Sequence, residues 1–181
     1  RKSFYLKFPP AMIPAASVKV STLSAGESAV LPFVIRSQRG VSRDEALALL
    51  PEVQAVAARF PGDAAVHAAL AEAEYDAGNN GAAIAAADKA LALDPRQVNA
   101  YLQKGYALFR LAEEAPSDRQ PAAFRAAMKP FEALNKVEND HPLPLIHYYR
   151  SFAQQGREPP ELARHALERA SQLAPFDHGL T

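Results

Sequence analysis

Residues 63–97 read DAAVHAALAEAEYDAGNNGAAIAAADKALALDPRQ, two alanine-rich apolar runs parted by Gly78-Asn79-Asn80-Gly81 and closed by Asp94-Pro95. From Ala64 to Gln97 the segment is 34 residues long, the length of one helix–turn–helix unit in a stacked solenoid. About three such units are needed before stacked pairs bury a continuous core. A stack of this kind predicts a binding surface, not a reaction.

The same grammar continues on both sides of that unit. Ser42 with Glu45 makes a capping box, in which each side chain satisfies an orphan backbone N–H. Ala46, Leu49, Leu50, Val53, Val56 and Phe60 follow at helical spacing, and Pro51 predicts a kink or a split. Phe60-Pro61-Gly62-Asp63 ends this helix and places Asp63 as the cap of the next. Downstream, Asp94-Pro95 predicts a cap and a first-turn proline, and Ser117 with Gln120 a second capping box before Pro121. Asp140-His141-Pro142 and Pro159-Pro160 open the last two helices, and Pro130 predicts a bend.

Residues 1–40 differ. Phe4, Tyr5, Leu6 and Phe8 precede Pro9, Pro10 and Pro14, which hold a backbone extended. Residues 17–22 alternate like a half-buried strand, and residues 30–36 read as a second strand confined by Pro32 to an edge or bulge. The expectation is an extended arm or β-hairpin over 1–40, followed by a helical domain over 41–181. The opening Arg1-Lys2-Ser3 has no initiator Met, which predicts a fragment of a longer protein.

The register of the helical part resembles the tetratricopeptide repeat (TPR) family, which places small residues at the eighth and twentieth positions and proline at the thirty-second. The unit at 64–97 supplies Ala71, Ala83 and Pro95, but has His67 where a large aromatic is usual. The unit at 98–141 supplies Tyr101, Gly105, Ala127, Phe131 and Leu134, with about ten residues inserted within 113–123. The unit at 142–177 supplies Tyr149, Phe152, Gly156, Ala163, Leu167, Ala170 and Pro175, with two more. Two 34-residue periods and these twelve insertions account for the 80 residues between Pro95 and Pro175. The resemblance implies an all-α TPR-like superhelix of three helix pairs, preceded by one helix from Ser42.

A second resemblance rests on the Phe4-Tyr5-x-Lys7-Phe8-Pro9 order, on Val18-Lys19-Val20, on Arg39-Gly40-Val41 before Asp44-Glu45-Ala46, and on residues 147–152. These resemble the C-terminal region of bacterial proteins that join a metallopeptidase-like domain of unknown function to TPR units. It implies that residues 1–40 are the tail or linker of an upstream domain, and it favours a periplasmic or otherwise exported location over a cytoplasmic one, which the residues themselves leave open. The zinc motif of such a domain is absent from this chain.

Composition excludes more than it identifies. Lys plus Arg and Asp plus Glu are 20 each, so no basic surplus argues for nucleic acid or anionic lipid. No apolar run approaches 18 residues, so no membrane span is expected. Without cysteine there is no disulfide, thiolate nucleophile or cysteine-ligated zinc. The five histidines are dispersed. His141 and His147 fall on different helix faces, Glu161 and His165 offer only two ligands, and His67 reads as a satisfied interior residue. No nucleophile setting or phosphate loop occurs, so the expectation is a non-enzyme without metal or cofactor.

In the resembled family, the first helix of each pair lines a concave groove. Those positions here are Glu72, Tyr75 and Asp76; then Asn99, Leu102, Tyr106, Phe109 and Arg110; then Ile146, Arg150 and Gln154. Tyrosine and arginine often anchor interfaces, though Tyr75, Tyr106 and Phe109 would serve equally to pack adjacent units. The basic and amide clamp by which some TPR domains hold a C-terminal carboxylate is replaced by Ala68 and Glu72. The expected function is a non-catalytic module holding a protein or peptide partner in the groove. The alternative is a structural domain docking on an upstream metallopeptidase-like domain of the same chain.

Overall fold

The computed structural model describes residues 22–175, which form eight α-helices and, within that range, no strand. They are α1 (Ala25–Gln38), α2 (Arg43–Arg59), α3 (Ala64–Asp76), α4 (Asn80–Leu93), α5 (Val98–Glu113), α6 (Gln120–Val137), α7 (Pro142–Ala153) and α8 (Glu161–Leu173). Each odd helix packs on the even helix after it, and α3 also packs on α1 and on α5. The backbones of the even helices do not approach each other closely. The odd helices thus draw closer together than the even ones from α1 to α5, which makes them the concave side of a TPR-like solenoid.

The strand expected over 30–36, and with it the β-hairpin, is overturned: these residues lie inside α1. Ser24 and Glu27 form a capping box, with Ser24 Oγ accepting from the Glu27 N–H at 2.9 Å. Val30 and Val34 then fall on one face and pack against Val66 and Ala69 of α3, a burial that outweighs β-branched propensity. Pro32 leaves one backbone hydrogen bond unmade, on the exposed side of the helix. At Gly26 the two N-termini nearly touch: a Cβ there would stand 2.7 Å from Val66 Cγ2. Ser24 Oγ also donates to Asp63 at 2.5 Å. The helix from Ser42 is thus the outer member of a pair, not a lone cap. The strand expected over 17–22 falls outside the described residues save for Thr22, which is irregular.

The helix ends follow local chemistry closely. Ser42–Glu45 forms its box, and Asp63 Oδ1 accepts from the N–H groups of Ala65 and Val66. Gly78, at φ +88, closes α3 with a left-handed residue that no other side chain adopts cheaply. Pro51 does not split α2, which runs unbroken with that proline on its exposed side.

Two expected caps fail. Asp94 instead accepts from the Arg96 N–H at 2.9 Å, building a tight turn, so α5 begins only at Val98. Ser117 does not cap α6, because Gln120 reaches back to the Glu113 carbonyl and residues 116–119 close a separate turn. Part of the insertion expected at 113–123 lengthens helices: α5 and α6 have 16 and 18 residues against 13 and 14 in α3 and α4.

Two kinds of core result. Between α3, α4 and α5 it is nearly all alanine: Ala68, Ala71, Ala86, Ala87, Ala90 and Ala100. Between α5, α6 and α7 it is Phe109, Phe124, Met128 and Phe131, with Tyr106 and Tyr148 beside them.

Candidate functional site

Most of the expected groove residues sit on the concave layer, but they divide into three groups. Glu72 and Asp76 are the first. Ser37 Oγ, near the end of α1, lies 2.8 Å from Glu72 Oε1 and 2.6 Å from Asp76 Oδ2. Asn99 Nδ2 donates to Glu72 Oε2 at 2.8 Å, and Gln103 Nε2 donates to Asn99 Oδ1 at 3.0 Å. A serine hydroxyl carries one proton, so two ionised carboxylates cannot both be satisfied by it. Burial supplies the remedy by pushing the Glu72 carboxyl above its usual range, with the Asp76 charge adding to the rise; bonds from Asn99 and Ser37 oppose it. Glu72, Asp76 and Asn99 thus latch α1 to α3 and α5.

The second group is aromatic and cationic. The Arg110 guanidinium stands over the Tyr75 ring, 3.7 Å from its centroid. Its Nη1 donates to the Tyr75 carbonyl at 2.9 Å and to Asn80 Oδ1 at 3.1 Å, so the group is pinned at the α3–α4 turn. Arginine has five N–H donors, and this leaves most of them for another acceptor. The Tyr75 and Tyr106 rings are 5.8 Å apart. Burial pushes the Tyr106 phenol up to about 12, so it stays a neutral donor at ordinary pH.

The third group stands at α7. Arg150 and Gln154 are exposed at its C-terminal end. Among the described residues no carboxylate pairs with Arg110 or Arg150.

Phe109 is not a groove residue: at 4% exposure it belongs to the core, edge-on to Phe124 and Phe131. His147 is the residue whose part the sequence did not reveal. It stacks on Phe131 at 4.4 Å and 7° between planes, and meets Phe109 at 4.8 Å and Tyr106 at 5.3 Å. No α5 backbone approaches α7, so these rings bridge the gap. Burial, and secondarily the Arg150 charge, push His147 down to about 4, which makes it a neutral aromatic plate.

The other described histidines are structural or exposed. His67 Nε2 lies 3.0 Å from the Pro61 carbonyl, His141 caps α7, and His165 faces Glu161 at 3.9 Å in solvent. Among the described residues, no three His, Asp or Glu side chains lie together as a metal site would require. No described helix is long and apolar enough to cross a membrane.

No protein-family model matches the chain, and no curated protein sequence matches it. Solved structures do. A crystal structure of MamA protein superposes with a TM-score of 0.61 at 13% identity, covering 84% of this chain and 77% of that one. The MamA RS-1 ArsTM double mutant gives 0.60 at 17% identity, covering 88% and 81%. MamA 41-end from Desulfovibrio magneticus RS-1 gives 0.61 at 18% identity, covering 88% and 81%. At these identities the likeness shows the all-helical solenoid fold.

Proposed function

We propose that the chain is a non-catalytic protein-interaction module whose concave face holds an extended segment of a partner protein. The observation that carries this reading is the pinned Arg110–Tyr75 stack beside Tyr106, facing the same groove as exposed Arg150. A guanidinium whose position is already fixed loses little side-chain entropy on binding, so it can anchor a carbonyl or carboxylate at low cost. Tyr106 adds a neutral hydroxyl donor and broad ring area. Glu72, Asp76 and Asn99 contribute indirectly, by holding α1 as one wall of the groove.

The test begins with a displayed peptide library selected on the 181-residue chain. Selected peptides are then titrated against wild type, Arg150→Ala with Gln154→Ala, and Tyr106→Ala with Arg110→Ala. Each variant is checked for helical content by circular dichroism. The proposal expects the exposed pair to lose about tenfold in affinity, ~1.4 kcal/mol, and the anchor pair more. Peptides that bind all three proteins equally would place the interaction elsewhere and overturn the reading.

A further inference from the structure

A second surface, away from the concave groove, lies on the seam between α6 and α7. Here the two helices part around an open cleft of about 410 Å³. Its floor is apolar, made by Phe124, Met128, Tyr148 and Phe152, the last two edge-to-face at 5.4 Å. Its rim is basic. Arg125 and Lys129 stand one turn apart on α6, and Arg157 reaches over the Phe152 ring at 5.7 Å. Glu132 is the one carboxylate in the lining, and among the described residues none of the three cations has a salt-bridge partner. A greasy slot under three unpaired cations selects for a bulky apolar side chain flanked by carboxylates.

The chain carries such a feature at the same end of the stack. Leu162, in the first turn of α8, is 68% exposed, the most exposed large apolar side chain among the described residues. Glu158 and Glu161 flank it, both largely in solvent. Their partners, Arg164 and His165, are themselves exposed, so these ion pairs contribute little and exchange easily. Leu162 follows Arg157, on the cleft rim, by only five residues, which limits their separation to about 17 Å of extended chain.

We infer that a second copy of this chain docks here, Leu162 of each copy entering the α6–α7 cleft of the other, with Glu158 and Glu161 facing Arg125, Lys129 and Arg157. Because each copy carries both the knob and the cleft, a two-fold axis would satisfy both exchanges at once and close the assembly as a dimer. The contact is small, one apolar anchor and a few rim charges, so it gives a weak dimer in rapid exchange. Salt weakens it by screening the rim charges.

Sedimentation velocity of the 181-residue chain over a concentration series tests this directly. The expected result is a sedimentation coefficient rising with concentration, and rising less at high salt. Leu162→Asp shifts the dimer dissociation constant by about tenfold or more, as does Arg125→Glu with Arg157→Glu. Glu158→Arg with Glu161→Arg likewise dissociates alone, yet mixed with the Arg125→Glu, Arg157→Glu protein it forms a mixed dimer in which both sites are charge-matched. Circular dichroism confirms that each variant keeps its helices. A wild-type chain that stays monomeric throughout, or a dimer indifferent to Leu162→Asp, overturns the inference. So does a mixture of the two charge variants that associates no better than either alone.

Discussion

The α3–α4–α5 joint and the α5–α6–α7 joint bring helices together by opposite means. The first uses alanine: with side chains of one carbon, backbones approach closely and successive inner helices touch along their length. The second uses rings. Phe109, Phe124, Phe131, Tyr106 and His147 fill a wider space, and α5 meets α7 through side chains alone. Close packing of small residues makes a uniform wall. Ring packing holds α7 off α5, and Arg150 and the α6–α7 cleft both lie on that side.

The sharpest way to break this contrast is to empty each joint in turn. Phe131→Ala removes the plate on which His147 stacks and should cost ~3–5 kcal/mol in a denaturant titration. Ala87→Gly, at an equally buried site in the alanine joint, should cost only ~1 kcal/mol. Comparable losses at the two sites would mean that the rings do not hold α7 in place.

Acid separates the joints next. The unfolded chain's histidine takes a proton near 6.5, whereas His147 in the fold refuses one until about 4. Its folded pKa is depressed, so its contribution is present above 6.5 and is lost as pH falls from there toward 4, by up to ~3 kcal/mol. Glu72 works the other way. Its folded pKa is raised, so its contribution is complete below the ordinary carboxyl value and fades as pH rises through the folded one. Stability measured from pH 7 to 4.5 should therefore fall in wild type, and in His147→Phe the fall should vanish or reverse. An unchanged slope in that variant would assign the effect to other groups.

Gly105 tests the contact within the ring joint most finely. A Cβ there would stand 2.5 Å from Phe131 Cε2, and that ring is fully buried. Gly105→Ala should therefore cost ~1–3 kcal/mol despite the ~1 kcal/mol that alanine gains in a helix. Adding Phe131→Leu should recover part of the loss. A stabilised Gly105→Ala would show that α5 and α6 have room to part.

What could be read in advance follows the same division. Prolines, glycines and caps act through a few neighbouring residues, so α2 to α8 and their pairing by Ala71, Ala83 and Gly105 were visible in order and spacing. The helix α1 was not, because Val30, Val34, Ile35 and Pro32 favour extended backbone locally. The opposing signal was Ser24 with Glu27, the same box as Ser42 with Glu45. Tyr75 and Arg110 fell on one face by repeat position alone, and they do meet. Burial of Phe109 and the placing of His147 depend on three helices converging, which no local pattern encodes. Ser37 escaped notice for the same reason, since its two carboxylate partners are 35 and 39 residues away.

Native-state hydrogen exchange on the 181-residue chain tests the contrast between the joints most directly. If alanine packing makes the uniform wall and rings alone carry α7, amides of α3 to α5 exchange only through global unfolding, while those of α7 and α8 open earlier at lower free energy. Equal protection across α3 to α8 would contradict it.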